Sequence, residues 1–474
     1  MRKCRTLISL ALVVAVILTL FGCSSGSPNS QDAAGNSKWK GQNIEVATWL
    51  DLDFTEDEDQ NKDSYYYRAL IHHALDEFCK ANGCTWSQLV TRDTSVLASA
   101  VAAKESPTLY FGYMQYPSIA AQNILQPISS YHDQIAKKYG DQWIDLSEYQ
   151  GEYYSVYLPW NEYYMVAYDR DFFEEQGIKT PRTYFEEGNW NFDTFEQVAK
   201  EVSRDTNGDG KKDTLGFASY QFSRLFMNSI KREANGKLSI VLDTPRNRAA
   251  AQIMNDLYTA DALAIGNADT GSFDSKNVVM SYKVVDIYDL QGGNAFGMNV
   301  MNKNKHWLEM VPLPKWKADD AEYTQELNFY QLGVFSGADL ELGMAVMDYI
   351  LEAGVVCEMK MNSGYEFDYP GLRGTTEESK AYLEYLAQRN ERDKKNATAN
   401  PYYDAEYLAS LREYMQGQKK RISYSYPVPG LTNDFTANAN EYSCLWELPP
   451  ATSIATVQAK LELFAKQYNE QYAQ

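Results

Sequence analysis

The sequence predicts an α/β protein of two lobes, and three observations carry that prediction. Residues 44–49 alternate and are rich in β-forming side chains, so they read as a first strand. Tyr67, Leu70, Ile71, Ala74, Leu75, Phe78 and Cys79 then fall at three- and four-residue steps, which describes a helix with one buried face. A second helical pattern, Val96, Leu97, Ala100 and Val101, stops before Pro107 and gives way to an apolar strand over 108–111. Strand, helix, strand is the unit of a parallel sheet. The third observation is length, since about 435 residues beyond the N-terminal segments exceed what one hydrophobic core supports.

The chain opens on Arg2, Lys3 and Arg5 and runs apolar over 7–21, broken by Ser9 and Thr19. That is the pattern of a signal peptide over 1–22. The apolar run is shorter than the roughly 20 residues a spanning helix needs, and no second long run follows to stop transfer. The stretch Leu20, Phe21, Gly22, Cys23 resembles a bacterial lipobox, in which the Cys23 thiol is acylated and becomes the first residue. Acyl chains at about 0.8 kcal/mol per buried methylene anchor a protein without a spanning helix. Ser, Gly, Asn and Ala dominate the following residues, so 23–40 reads as a flexible tether. The expected location is the extracytoplasmic face of the cell membrane.

Acidic residues number 64 against 44 basic ones, a formal charge of −20, and the leader contributes only positive charges. Nucleic acid is therefore a poor partner. Flat adsorption to anionic lipid is disfavoured for the same reason, so attachment falls to the lipid. Beyond Cys23 the cysteines are Cys79, Cys84, Cys357 and Cys444. Their compartment permits disulfides, and a small bridged loop around Gly83 is one of three pairings left open. A zinc site built from these four is not expected, because they include one close pair and no histidine at ligand spacing. His72 and His73 lie within the first helix. Adjacent helical residues point about 100° apart, so they are expected on its flank or surface and not on a shared metal.

Further along, 149–154, 158–160, 166–169 and 171–178 follow one another as a strand, a Leu158-Pro159-Trp160 turn, a strand ending in Tyr168-Asp169 and a helix ending at Gly177. Thr180 to Thr183 and then 190–195 come next. Residues 276–280, 310–314, 332–334 and 340–351 continue the series. In order and spacing these segments resemble the carbohydrate-binding solute receptors similar to maltose-binding protein, from about residue 41 to 352, with Trp446 and the final helix matching beyond. That helix carries Ile454, Val457, Leu461, Phe464 and Tyr468 on one stripe. Two departures are visible: Asp169 stands where the family commonly has Asn, and 185–188 appear inserted.

The resemblance implies a two-lobe, periplasmic-binding-protein-like fold with discontinuous lobes and a hinge. One lobe is placed at 41–158 with 285–352, the other at 159–284 with 353–474. It implies an extracytoplasmic substrate-binding protein that delivers a sugar or oligosaccharide to the permease subunits of an ABC importer, acts as a monomer and catalyses nothing. Ligand would sit between the lobes, with closure about the hinge.

A sugar site needs a flat apolar face ringed by polar groups that replace water. Candidates are Trp49 and Asp51 after the first strand, Tyr113 and Gln115 after the strand near Phe111, Trp160, Asn161 and Glu162 on the crossover, and Trp446 from the family match. Each large aromatic has a competing reading as core. A separate motif runs from Asp205 to Asp213. Oxygens on Asp205, Asn207, Asp209 and Asp213, the Lys211 carbonyl and a Gly at position six match most of an EF-hand-type calcium loop in a structural role. Gly216 stands where the twelfth-position Glu belongs, and the alternative is a polar turn that binds nothing. No nucleophile–base pattern, His-Glu-x-x-His or phosphate loop appears. The rivals are a secreted glycoside hydrolase, for which two carboxylates suffice, and a receptor of the same fold serving a sensor or another solute.

Overall fold

A computed structural model describes residues 37–52, 66–113, 116–157, 162–218, 225–226, 230–233, 235–264, 277–286, 305–320, 324–328, 330–360, 372–397, 401–422 and 443–472. The expected signal peptide and Cys23 lie outside them. No described helix is long and apolar enough to cross a membrane.

The chain enters a first sheet with β1 (Asn43–Thr48), then helix α1 (Tyr66–Asn82), β2 (Thr85–Val90), α2 (Thr94–Ala103), β3 (Leu109–Tyr113) and β4 (Ser155–Tyr157). It crosses to a second sheet between Tyr157 and Glu162. There it forms β5 (Glu162–Asp169), α3 (Arg170–Gln176), α4 (Phe192–Glu201), β6 (Leu215–Ala218), α5 (Pro245–Thr259), β7 (Leu263–Ala264), β8 (Val278–Asp286), β9 (Leu308–Pro312) and β10 (Thr324–Asn328). It returns to the first sheet as β11 (Tyr330–Val334). Helices α6 (Leu340–Lys360), α7 (Glu377–Ala397) and α8 (Ala405–Gly417) precede a last strand, β12 (Lys419–Ile422), and α9 (Pro450–Gln471).

The first sheet has the order β2-β1-β3-β11-β4, with β1 parallel to β2 and β3 and β11 antiparallel to β3 and β4. The second runs β7-β6-β8-β5-β10-β12, with β9 also paired to β5. Both crossings are side by side, because Tyr157 pairs with Gln331 in one sheet and Glu162 with Asn328 in the other. Strand β2, between the two helices read from the sequence, completes the parallel unit.

Local sequence explains the helix entries. Asn191 accepts from the Asp193 and Thr194 N–H groups while Thr194 Oγ accepts from the Asn191 N–H, a reciprocal cap that starts α4. Asp169 Oδ1 accepts from Phe172 N at 2.9 Å and so caps α3. Helix α9 buries Ile454, Val457, Leu461 and Tyr468 on one stripe against the second core, each worth roughly 1.5–3 kcal/mol of transfer free energy.

Three expected assignments are corrected by packing. Strands β9 and β10, both expected with the first lobe, join the second sheet: β9 pairs with β5 from Leu308 opposite Asp169 to Pro312 opposite Met165, and β10 pairs with β5 and β12. The stretch 353–474, expected with the second lobe, is divided. Leu372 and Tyr382 join the core around α1, while α9 stays with the second. The tether is shorter than expected, since Trp39 already packs on Phe78 with ring centroids 5.6 Å apart. The reason for the division is Glu77, fully buried on α1. Its carboxylate accepts from the backbone N–H groups of Arg373 and Thr375 at 2.9 Å, from Ser379 Oγ at 2.7 Å and from the Tyr349 hydroxyl at 3.1 Å.

Candidate functional site

Parallel strands align their carboxyl ends, and in this fold those ends of β1 and β3 face the crossings to the second sheet. Trp49 follows β1 directly. Its half-buried indole lies parallel to the Tyr330 ring, at 7° and 6.3 Å between centroids, and the Arg92 guanidinium stands 4.4 Å over it. Tyr330 opens β11 at the returning crossover and pairs in register with Tyr113 at the end of β3. Backbone register therefore brings Trp49, Tyr113 and the first residue of the crossing strand to one sheet edge. Asp51 is exposed and accepts from Gln88 Nε2 at 2.6 Å, while Gln88 Oε1 accepts from Leu52 N at 2.7 Å. Strand β2 thus braces the 49–52 loop. Tyr330 and Arg92 were not foreseen. Neither carries a local motif, and each matters because of what the fold sets beside it.

Glu162 begins β5 immediately after the first crossing. Gln115, Trp160 and Asn161 lie outside the described residues. Trp446 departs from the ligand-facing expectation. It is 4% exposed within the second core, on the short helix Cys444–Glu447 whose Trp446 carbonyl accepts from Asn255 Nδ2 at 2.7 Å. Among the described residues the indole packs as part of this core. Asp169, the departure from the family pattern, is at the far end of β5, on the order of 20 Å along the strand from the crossing. There it meets His306 Nδ1 at 3.1 Å. Nearby, Glu309 is buried between Arg182 at 3.1 Å, Arg170 at 3.5 Å and the Tyr168 hydroxyl. Burial pushes its carboxyl up against the pull of these partners.

The 205–213 loop is exposed and closed on itself. Asp213 accepts from the Thr206 and Asn207 N–H groups, and Asp205 from those of Gly208 and Gly210. The Thr206 hydroxyl, which also donates to Asp213 at 2.6 Å, and then the Thr206 and Asn207 N–H groups hold the Asp213 carboxyl below the usual range. Gly210 at position six has φ +83°, the left-handed turn such a loop requires. Gly216 cannot be the missing acidic ligand, because a Cβ there would come 1.8 Å from the Ala199 carbonyl of α4. Among the described residues, the three loop carboxylates are not drawn together. Among the same residues, a group of His, Cys, Asp and Glu atoms that converges within 4.8 Å is His72, His73 and Asp76.

Within that group His72 keeps the expected flank position, whereas His73 departs from the flank-or-surface expectation. His73 is 7% exposed, and burial pushes its imidazole down to about 4. Tyr382 of α7 covers it at 4.8 Å, and Trp86 of β2 meets the half-buried His72 edge to face at 5.1 Å. Partners from other elements bury His73 and partly cover His72. Cys79 and Cys84 are also brought together, with Cys84 N donating to the Cys79 carbonyl at 3.1 Å; both thiols are free, and burial pushes both up.

No curated protein matches the chain in sequence. Solved structures do match in shape. A cyclic α-maltosyl-1,6-maltose binding protein from Arthrobacter globiformis is similar at TM-score 0.58 and 16% identity, over 90% of this chain and all of that one. The galacto-N-biose-/lacto-N-biose I-binding protein of the ABC transporter from Bifidobacterium longum gives 0.52 and 12%, over 91% and 98%. The maltose/maltodextrin-binding domain MalE from Bdellovibrio bacteriovorus gives 0.51 and 16%, over 90% and 100%. At these identities the likeness establishes the two-lobe fold. The family model for bacterial extracellular solute-binding proteins matches residues 61–356, over half of the chain, and the chain belongs to that family.

Proposed function

We propose that this protein captures an oligosaccharide between its lobes and delivers it to an ABC importer, held to the extracytoplasmic face of the membrane by a lipid on Cys23. The observation that carries the reading is the Trp49 indole at the carboxyl end of β1, ordered by Tyr330 and Arg92 where both crossings meet. A flat aromatic beside backbone and carboxylate groups suits a pyranose ring, whose C–H face stacks while its hydroxyls need hydrogen-bond partners. The similar structures named above bind maltosyl, lacto-N-biose and maltotriose ligands, which favours a sugar over other solutes.

Ligand held by both lobes stabilises the closed form through its differential affinity, and Trp160, Asn161 and Glu162 on the first crossing are proposed to contribute from the hinge side. The test is a thermal-shift and calorimetric screen of the purified protein against mono- to heptasaccharides. At least one glycan should raise Tm in proportion to the logarithm of its concentration over Kd, with no glycan turned over. Binding of no sugar, or hydrolysis at an ordinary enzyme rate, would overturn the reading. A structural calcium ion in the 205–213 loop is a separate proposal, supported by its oxygen spacing and the Gly210 turn.

A further inference from the structure

We infer that His72, His73 and Asp76 form a binding site for a divalent transition metal of the zinc class, at the base of the loop that carries Trp49. One ring nitrogen from each histidine and one carboxylate oxygen lie within 4.8 Å of one another. His72 and Asp76 are one helical turn apart and share a face of α1. His73 would ordinarily diverge from His72 by about 100°, yet the two rings meet edge to face with centroids 5.2 Å apart.

The hydrogen-bond inventory around the cluster points to a cation. His72 Nδ1 is 2.8 Å from the Leu52 carbonyl, which can only accept, so the ring carries its hydrogen on Nδ1. In the neutral ring, Nε2 then offers a lone pair, and it faces Asp76 Oδ2 at 3.2 Å. Two acceptors at that distance repel unless a proton or a metal lies between them. The other oxygen, Asp76 Oδ1, is already fixed by Trp86 Nε1 at 2.6 Å, leaving Oδ2 directed at the cluster. His73 Nδ1 is buried and has no hydrogen-bond partner. A backbone carbonyl behind one imidazole and an indole N–H behind the carboxylate are the outer partners that orient metal ligands and fix the histidine tautomer.

Two imidazoles and one carboxylate with an open fourth position suit zinc, whose bonds of about 2.0–2.2 Å set ligand atoms roughly 3.3 Å apart in a tetrahedron. The present spread is wider, so the ion would draw the rings inward. Calcium and magnesium, which take oxygen ligands, would be refused.

The experiment is equilibrium dialysis of the purified, chelator-stripped protein against zinc chloride, read by elemental analysis. Wild type should retain one zinc. His72→Gln and Asp76→Asn should each weaken zinc affinity by about 10-fold or more. The Cys79→Ser/Cys84→Ser double variant should keep the metal, since those thiols are the competing soft ligands nearby. Cobalt loading of the wild type gives a readout that does not depend on variants folding. It should produce visible d–d bands of a tetrahedral nitrogen–oxygen site without the near-ultraviolet thiolate charge-transfer band. Absence of bound zinc, zinc retained unchanged in both ligand variants, loss of zinc in the cysteine variant, or a thiolate band would each overturn the assignment.

Discussion

Two tryptophans differ in burial, and the proposed function assigns binding to one and folding to the other. Trp49 is half-buried at a sheet edge and held by Tyr330 and Arg92, whereas Trp446 is enclosed in the second core. Trp49→Ala should weaken glycan binding by roughly 1–3 kcal/mol, as truncation of an aromatic anchor does, and leave the unliganded Tm nearly unchanged. Trp446→Ala should cost about 3–5 kcal/mol of folding stability and leave intrinsic affinity intact where the protein is folded. Calorimetric titration and urea unfolding of both variants check the pair. The reverse pattern would exchange their roles.

At the scale of elements, Glu77 ties a segment distant in sequence to α1. Its carboxylate serves the backbone of Arg373 and Thr375 and the Ser379 hydroxyl with almost no access to water. Glu77→Ala would leave these donors unpaired, at about 1–3 kcal/mol for each one that water cannot reach. Hydrogen exchange should accelerate over 372–382 before any other described segment of the first lobe. A second test concerns strand β6, where Gly216 allows the sheet to approach α4. Gly216→Ala must push against the Ala199 carbonyl, so a loss of more than 1 kcal/mol is expected by urea unfolding. For the loop just before it, EDTA should lower Tm if calcium is held, and Asp209→Ala should remove that sensitivity. The many bonds from the loop's own N–H groups to Asp205 and Asp213 mean that an EDTA-indifferent protein would still keep this turn.

For the whole molecule, two sheets joined by side-by-side crossings give an arrangement that can close about those crossings. Small-angle scattering should report a smaller radius of gyration with saturating glycan, and the change should vanish in Trp49→Ala at the same concentration. Unchanged scattering alongside proven binding would argue against closure. The proposed lipid anchor on Cys23 is tested separately from binding. Cys23→Ser should abolish lipid modification as read by mass spectrometry and move the protein from the detergent phase to the aqueous phase, while glycan affinity stays the same.

Local pattern determined much of this protein. Helices α1 and α2 and the stripe of α9 could be read from their 3.6-residue periodicity, while β1 and β3 could be read from short β-rich and apolar runs between turn and helix signals. The entry to α4 was legible through the family resemblance of 190–195, and its capping residues prove to be neighbours in sequence. Trp49 could be named as a candidate because an aromatic after a parallel strand lies at that strand's functional end. Tertiary structure alone decided the rest. Strand β9 joined the second sheet through pairing with β5, which no property of residues 308–312 encodes by itself. Trp446 became core because Asn255 and the helices around it close over it. His73 became buried and His72 half-covered because Tyr382 and Trp86 arrive from other elements. Periodicity reports which face of an element is apolar, but which partner covers that face, and which polar atoms are enclosed with it, is set by contacts between residues far apart in the chain.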